Sequence, residues 1–328
     1  MPTEKIAMGP LVSILIVNYN YGRFVATAIE SALSQTYPNI EVIIVDDGST
    51  DDSRDVIDGY GGRVLAIYKR NGGQPSATNA AFAASTGDII CLLDSDDYFV
   101  QDKVSKIVAC YQQHPEASYV FHALQRVDSN GADIGIKEPM DGSRSLERRV
   151  KGFMPPPTTG LTFRRSAWNM IGPMPEELTV LGDNYFKFVI IALARGYYLA
   201  EPLGVMRLHG NNLFSMGNWG VSRFPADVKV ALAIRSNFPR LVAKADSLIS
   251  ITMAKYWRLK GRDEPTSKQL REYLQKSSAG SKARIYGLTV LRCCRQFVRG
   301  IPTLREPNSQ SRPGSNASVF SNRGSDEI

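Results

Sequence analysis

Several features that mark whole classes of protein are missing from these 328 residues. The four cysteines, Cys91, Cys110, Cys293 and Cys294, show no CxxC spacing and read as free thiols in a reducing cytoplasm. No segment approaches the roughly 18 uninterrupted apolar residues of a membrane-spanning helix. The opening "MPTEKIAMGP" lacks the apolar core of a targeting signal, and "LVSILIVN" after it is only eight residues long and β-branched, which suits a strand. No internal repeat is visible. His114 and His122 read as structural.

What is present is an ordinary globular composition, 43% hydrophobic, with length for one large domain or two smaller ones. The net charge of +7 is unevenly spread. Residues 1–224 hold 20 Lys and Arg against 24 Asp and Glu, and residues 225–328 hold 19 against 8. An acidic front and a basic rear suggest two jobs, the second with an anionic partner.

The first hundred residues alternate between continuous apolar runs and helical patterns. Strands are expected at 11–18, 40–45, 63–68 and 88–93, with helices between them carried by Phe24, Val25, Ala28, Ile29, Ala32 and Leu33, by a short segment after "DDGSTDDS", and by "SATNAAFAAS". This pattern predicts an α/β fold, a mostly parallel central sheet covered by helices on both faces. Further helices are expected at about 100–113 and from Asp183 to about Arg195, with strands at 117–122 and 203–207. "DSNGAD" reads as a turn and "GFMPPPTTG" (152–160) as an irregular loop over the site. Residues 225–300 read as helices. The tail from about 306, rich in Ser, Asn, Gly and Arg, is expected to be disordered.

Ligands of such sheets bind beyond the carboxyl ends of the strands, and two acidic clusters fall there: Asp46–Asp47 and "DSDD", Asp94–Asp97. Like charges this close repel and raise each other's pKa. A hard cation such as Mg²⁺ or Mn²⁺, which prefers carboxylate and phosphate oxygens, would offset the repulsion at Asp94, Ser95 and Asp96. The other reading of the aspartates is a helix N-terminus, where they favour the dipole.

Taken in order, "VSILIVNYNYGRFVATAIESALSQTYPNIEVIIVDDGSTDDS", "NGGQPSATNAAFAASTGDIICLLDSDDYF", "GDNYFKFVIIALARG" and "RLHGNN" resemble the family 2, GT-A-type glycosyltransferases over roughly residues 10–215. The resemblance implies a nucleotide-sugar-binding sandwich and single-sugar transfer with inversion, of the hexosyltransferase class. It implies that Asn18 and Tyr19 line the nucleotide pocket. It makes Asp46 the acceptor of a base N–H, which suits uracil or thymine better than cytosine and leaves a UDP-sugar as the expected donor, with Asp47 supporting the turn. Gly72 and Gly73 bring backbone N–H groups to the diphosphate. Asp94 meets ribose or metal, and Asp96 ligates the metal. Asp183, opening a helix, is the general base.

Two positions depart from the family pattern. Gly182 stands where many members have Glu before the Asp, and Thr78 stands where relatives often have Arg. Arg207 or His209 of "RLHG" would then supply the phosphate-facing charge. Processive synthases of the family carry Gln-x-x-Arg-Trp and membrane helices, and none of Trp168, Trp219 and Trp257 sits in that motif.

In the rear, "SKARIYGLTVLRCCRQFVRG" (281–300) gathers Arg284, Arg292, Arg295 and Arg299 in one arc, opposite Tyr286, Val290, Cys294, Phe297 and Val298. That pattern fits a helix lying in a membrane interface, and equally an amphipathic helix packed on the catalytic domain. On the first reading it would bring a cytoplasmic, peripheral enzyme to a glycan or polyprenyl-linked acceptor. No nucleic-acid partner is expected. The expected organisation is a catalytic unit over 1–224 (donor half 10–122, acceptor half 123–224), a basic helical extension over 225–305, and the tail 306–328. Two alternatives stay open. One is a sugar-nucleotide-forming nucleotidyltransferase, for which "NYNYGRF" lacks the basic Gly-rich signature. The other is a non-catalytic GT-A-like module that binds nucleotide or glycan.

Overall fold

The structure is a computed structural model. It describes residues 9–137, 157–179, 181–210, 212, 223–259 and 263–298, without the side chains of 137 and 295–298. The expected tail from 306 and most of "GFMPPPTTG" lie outside the described residues.

The strands are β1 (Val12–Asn18), β2 (Ile40–Asp46), β3 (Leu65–Tyr68), β4 (Ile89–Asp94), β5 (Tyr98–Phe99), β6 (Tyr119–Val127), β7 (Asp133–Lys137), β8 (Leu161–Arg164) and β9 (Gly196–Arg207). The helices of the sheet region are α1 (Gly22–Leu33), α2 (Ser53–Asp58), α3 (Gly73–Ala84), α4 (Lys103–Gln113), α5 (Arg165–Ile171) and α6 (Gly182–Leu193). They are followed by α7 (Phe224–Asn237), α8 (Val242–Arg258), α9 (Glu264–Gln275) and α10 (Ala279–Val298).

All nine strands form one sheet, in the order β3-β2-β1-β4-β8-β6-β9-β5 with β7 paired to β6. The β3-β2-β1-β4 portion is parallel. Antiparallel β8 joins it to the second half, where β6 and β9 are again parallel. The continuous apolar strands are explained by burial of both faces. Ile14, Ile16, Val42 and Ile44 pack with α1 and α4, while Leu15, Ile43 and Val45 pack with α3 and the helices beyond it. A strand buried on one face only would have alternated with polar residues.

"DSNGAD" is a tight turn, as its residues demand, and it closes a β6–β7 hairpin. Asp128 Oδ1 accepts from the N–H groups of Asn130 and Ala132, and Gly131 adopts φ +87°. β7 was not expected, because exposed Ile134 and Ile136 alternate with glycine and charge too briefly to stand out.

In the rear of the chain the described residues form four α-helices fixed to the sheet region. Phe224, Val228 and Ala231 join the same apolar cluster as Phe186 and Val189, so the core runs through position 224. Besides their apolar contacts, one carboxylate links all four helices. Asp246 on α8, fully buried, accepts from Arg235 of α7 (3.3 Å), Tyr273 of α9 (2.9 Å) and Arg284 of α10 (3.0 Å). Removing one member of such a group leaves an uncompensated buried charge, at a cost of about 3–5 kcal/mol. Asp246→Ala is therefore expected to lower the unfolding free energy by that amount in a chain that still folds, read as a fall in the urea midpoint, with the loss beginning in the rear helices by hydrogen exchange. An unchanged midpoint would show that the carboxylate is not what joins them.

Candidate active site

The parallel register aligns the carboxyl ends of the first strands: Asn18 lies beside Asp46, and Val17 beside Asp94. Between β1 and β4 the strand order reverses, which opens a crevice at this edge. Two sharp turns let the chain leave it. Asn20 takes φ +57°, a left-handed conformation that Asn tolerates, and its side chain accepts from Thr50 N–H at 2.8 Å. Gly48, at φ +80°, brings its backbone so near Asn71 that a Cβ would lie 2.7 Å from the Asn71 nitrogen.

Asn18 and Asp46 are buried together, with Asn18 Nδ2 donating to Asp46 Oδ2 at 2.8 Å and Ser49 N–H donating to Oδ1 at 2.9 Å. Asn18 Oδ1 and Ser95 Oγ are buried without a partner among the described residues, two polar groups available to a ligand. Tyr19 is about half exposed at the rim. Asp47 binds the glycine loop: it accepts from Gly73 N–H at 2.7 Å, Gly72 N–H at 3.0 Å and Lys69 Nζ at 2.7 Å. The two N–H groups expected to approach a diphosphate are thus donated to Asp47, which caps the start of α3. Thr78 turns its hydroxyl to the Gln74 carbonyl and faces no phosphate site.

Each aspartate after β4 has its own partners. Asp97, 3% exposed, accepts from Thr159 Oγ1 at 2.5 Å and from Arg207 N–H at 2.9 Å. Asp96 Oδ2 lies 3.2 Å from His209 Nε2 and accepts from Asn212 Nδ2 at 2.9 Å. The Asp94 N–H donates to Thr159 Oγ1 at 3.3 Å, and its carboxylate interacts with Asp96, Lys187, Asp183 and Thr159. Burial, then Asp96, pushes the Asp94 carboxyl up to about 7, against the pull of Lys187. Burial, then Asp96 and Asp94, hold Asp97 well above the ordinary carboxylate range. Burial, then Asp96, Asp94 and Asp97, also push the Tyr21 hydroxyl up.

His209 is held by aromatic rings, stacked on Phe24 at 4.7 Å and edge-on to Tyr21 at 5.5 Å. The Arg207 guanidinium lies 4.7 Å from the Phe24 ring centre and 5.5 Å from that of Tyr98. The structure therefore brings Arg207 and His209 to the aspartates on β9 and its exit.

Asp183 opens α6 facing the same crevice. Its Oδ2 accepts from Thr158 Oγ1 at 2.8 Å and from Lys187 Nζ one turn on, and Lys187 is itself buried. Burial works to raise this carboxyl, but Lys187 and Thr158 outweigh it and hold it below the ordinary value. Before it, Leu181 takes φ +59°, and a Cβ on Gly182 would lie 2.1 Å from Pro75 Cγ. The missing Glu has a steric reason: Pro75 of α3 fills its place.

Sequence reasoning did not name Tyr21, Thr158, Thr159, Lys187 or Asn212. Only Lys187 carried a usable signal, a cation four residues after a helical Asp.

Residues 13–170 match the model described as Glycosyl transferase family 2. They are a family 2 glycosyltransferase domain. The domain is similar to the uncharacterized glycosyltransferase alr2836 of Nostoc sp., 35% identical over 212 residues, 61% of this chain and 66% of that one. It is also similar to WfaP of Escherichia coli, a UDP-Glc:alpha-D-GlcNAc-diphosphoundecaprenol beta-1,3-glucosyltransferase, 46% identical over 97 residues, 29% of this chain and 39% of WfaP. The chain thus spans less than two thirds of the length of either relative. Among solved structures, S. aureus TarS 1–349 in complex with UDP-GlcNAc superposes with a TM-score of 0.65 at 19% identity, over 86% of this chain and 89% of that one. The fold of the family 2 domain is GT-A.

No group of three His, Cys, Asp or Glu side chains that could hold a metal gathers among the described residues. Asp96 and His209, 3.2 Å apart beside Asp94, fit a Mg²⁺ or Mn²⁺ that takes its remaining ligands from phosphate oxygens.

The raised Asp94 carboxyl has a consequence for stability. Between the ordinary carboxylate range and about pH 7 the folded chain keeps a proton that the unfolded chain releases, so stability falls as pH rises through this window. In chelator, Asp94→Asn is expected to melt higher than the parent at pH 8 and alike near pH 4, by about 2–4 °C for each kcal/mol of repulsion relieved. Equal melting at pH 8 would show that the carboxylates do not repel.

Proposed function

We propose that this protein is an inverting, metal-dependent glycosyltransferase that moves one sugar from a UDP-sugar to a glycan or polyprenyl-linked acceptor. The observation that carries the reading is the convergence at one crevice of the Asn18–Asp46 pair, the Asp94–Asp97 cluster with His209, and Asp183. The catalytic unit is taken as residues 1–224, the donor half being 10–122, and residues 225–305 as its basic extension. A cytoplasmic site of action fits a donor made in that compartment.

Asp46 stands where a base N–H can donate to it, while Asn18 Oδ1 and Ser95 Oγ offer further polar contacts to the nucleotide. Asp96, with Asp94 and His209, would hold the divalent ion. When bound, the ion holds charge on the departing diphosphate. Arg207 would supply the phosphate-facing cation that Thr78 does not. Asp183 takes the proton of the acceptor hydroxyl. Thr158 and Lys187 aim its carboxylate, and the Lys187 cation keeps it ionised throughout the neutral range. UDP-GlcNAc in TarS and the lipid-linked acceptor in the name of WfaP support the donor and acceptor classes.

The Asp183–Lys187 pair also favours a second reading, a module that binds nucleotide or glycan without turnover, in which the pair is only structural. One experiment separates the two. Thermal shifts are measured with UDP, GDP, CDP and dTDP, with and without Mn²⁺, alongside turnover of a UDP-sugar. A ligand at one hundred times its dissociation constant adds about 2.7 kcal/mol of apparent stability. The expected result is a metal-dependent shift with UDP, abolished in Asp96→Ala. Asp183→Asn should keep the shift and lose about 10²–10⁴-fold in turnover. UDP binding without turnover in the parent chain would give the second reading, and no nucleotide shift from a folded chain would overturn the first and leave only a glycan-binding module.

A further inference from the structure

Helix α10 presents to water the side that an ordinary surface helix buries. Its inward face is Ser281, Ile285 and Thr289. Arg284 reaches Asp246 on α8, and Arg292 donates to Ser250 Oγ at 2.8 Å and Ser247 Oγ at 3.1 Å. The arginine arc seen in the sequence is therefore turned toward the body at these two positions, where the membrane reading had placed it outward. Arg295 and Arg299 lie outside the described side chains. The outward face carries Tyr286, Val290 and Leu291, 44%, 53% and 54% exposed. Ala283, Gly287 and Cys294 are exposed with them. Positions 283, 286, 287, 290 and 294 recur at helical spacing, so the apolar surface is one stripe along the axis. A continuous apolar stripe left in water marks an interaction surface.

Charge tells what kind of partner fits it. From Tyr273 to Arg305 the sequence has no Asp or Glu, and beside the inward Arg284 and Arg292 it carries Lys276, Lys282, Arg295, Arg299 and Arg305. We propose that this face of α10 lies against an anionic lipid surface, its apolar stripe in the headgroup boundary and the surrounding cations on lipid phosphates. Nucleic acid would pair with the cations and leave the stripe in water. A second copy of the chain would oppose one basic segment to another, each with 19 Lys and Arg against 8 Asp and Glu over residues 225–328. An anionic bilayer answers both features together. Among the described residues no helix is long and apolar enough to cross a membrane, so the contact lies on the surface. The inward arginines fix α10 to α8, which holds the stripe facing outward. The proposal goes beyond the transfer reaction and does not rest on it.

The test is co-sedimentation of the full chain with two kinds of vesicle, phosphatidylcholine alone and phosphatidylcholine carrying about 30% phosphatidylglycerol, at about 0.1 and 0.5 M salt. Val290→Asp and Leu291→Asp change exposed positions, and an unchanged melting temperature shows that they fold. Binding to the anionic vesicles is expected, weaker by about 10-fold or more in either variant and at the higher salt. Three results would overturn the proposal. They are equal binding by parent and variants, no binding by the folded parent, and a concentration-dependent doubling of mass that Val290→Asp abolishes, which would make the stripe a dimer seam.

Discussion

Carboxylates crowded at a strand end must each be given a separate partner, and much of this molecule is arranged around that need. Asp97 is held by a hydroxyl from the 158–160 turn and a backbone N–H of β9, and Asp96 by the imidazole and amide that follow β9. Asp94 is left with the remaining repulsion, offset in part by Lys187. These partners lie more than 60 residues away in sequence, so the second half of the chain must close over the first before the acidic turn is tolerable. The order β4-β8-β6-β9 meets that requirement: β8 delivers the Thr159 turn, and β9 returns to the crevice carrying Arg207 and His209.

The legible part of the fold was the part written in local pattern. Continuous apolar strands gave β1, β2 and β4 almost to the residue, and helical spacing gave α1 and α6. Aspartates at strand ends marked the crevice. What could not be read was any relation between distant residues. Thr159 is one threonine among several until β8 sets its turn beneath Asp94. The glycines of "NGGQP" suggested phosphate binding, but Asp47, 25 residues earlier, takes their N–H groups. A motif gives the chemistry a backbone can perform, and only the fold tells whether another side chain has claimed it.

The same limit explains α10. Periodicity divides a helix into two faces without saying which one turns inward, and the usual assumption sends the apolar face to the core. Here the neighbouring α8 offers a buried Asp246 and two serines, a surface that rewards arginine more than leucine. The acidic front and basic rear are thus joined by a polar seam as well as by the apolar core that passes through position 224.

The contact between Pro75 and Gly182 has a historical side. One residue lies in the loop-to-helix entry of α3 and the other at the start of α6, and each occupies space the other would need to change. A lineage carrying both cannot regain the common acidic pair in one step, since the new side chain meets the proline ring before it reaches the crevice. The two positions are therefore expected to change together. The order of change is constrained as well: the ring must leave first. Relatives that keep Glu before the Asp should thus have a smaller residue at the position of Pro75, a covariation fixed by a few cubic ångströms of space and not by the chemistry of transfer.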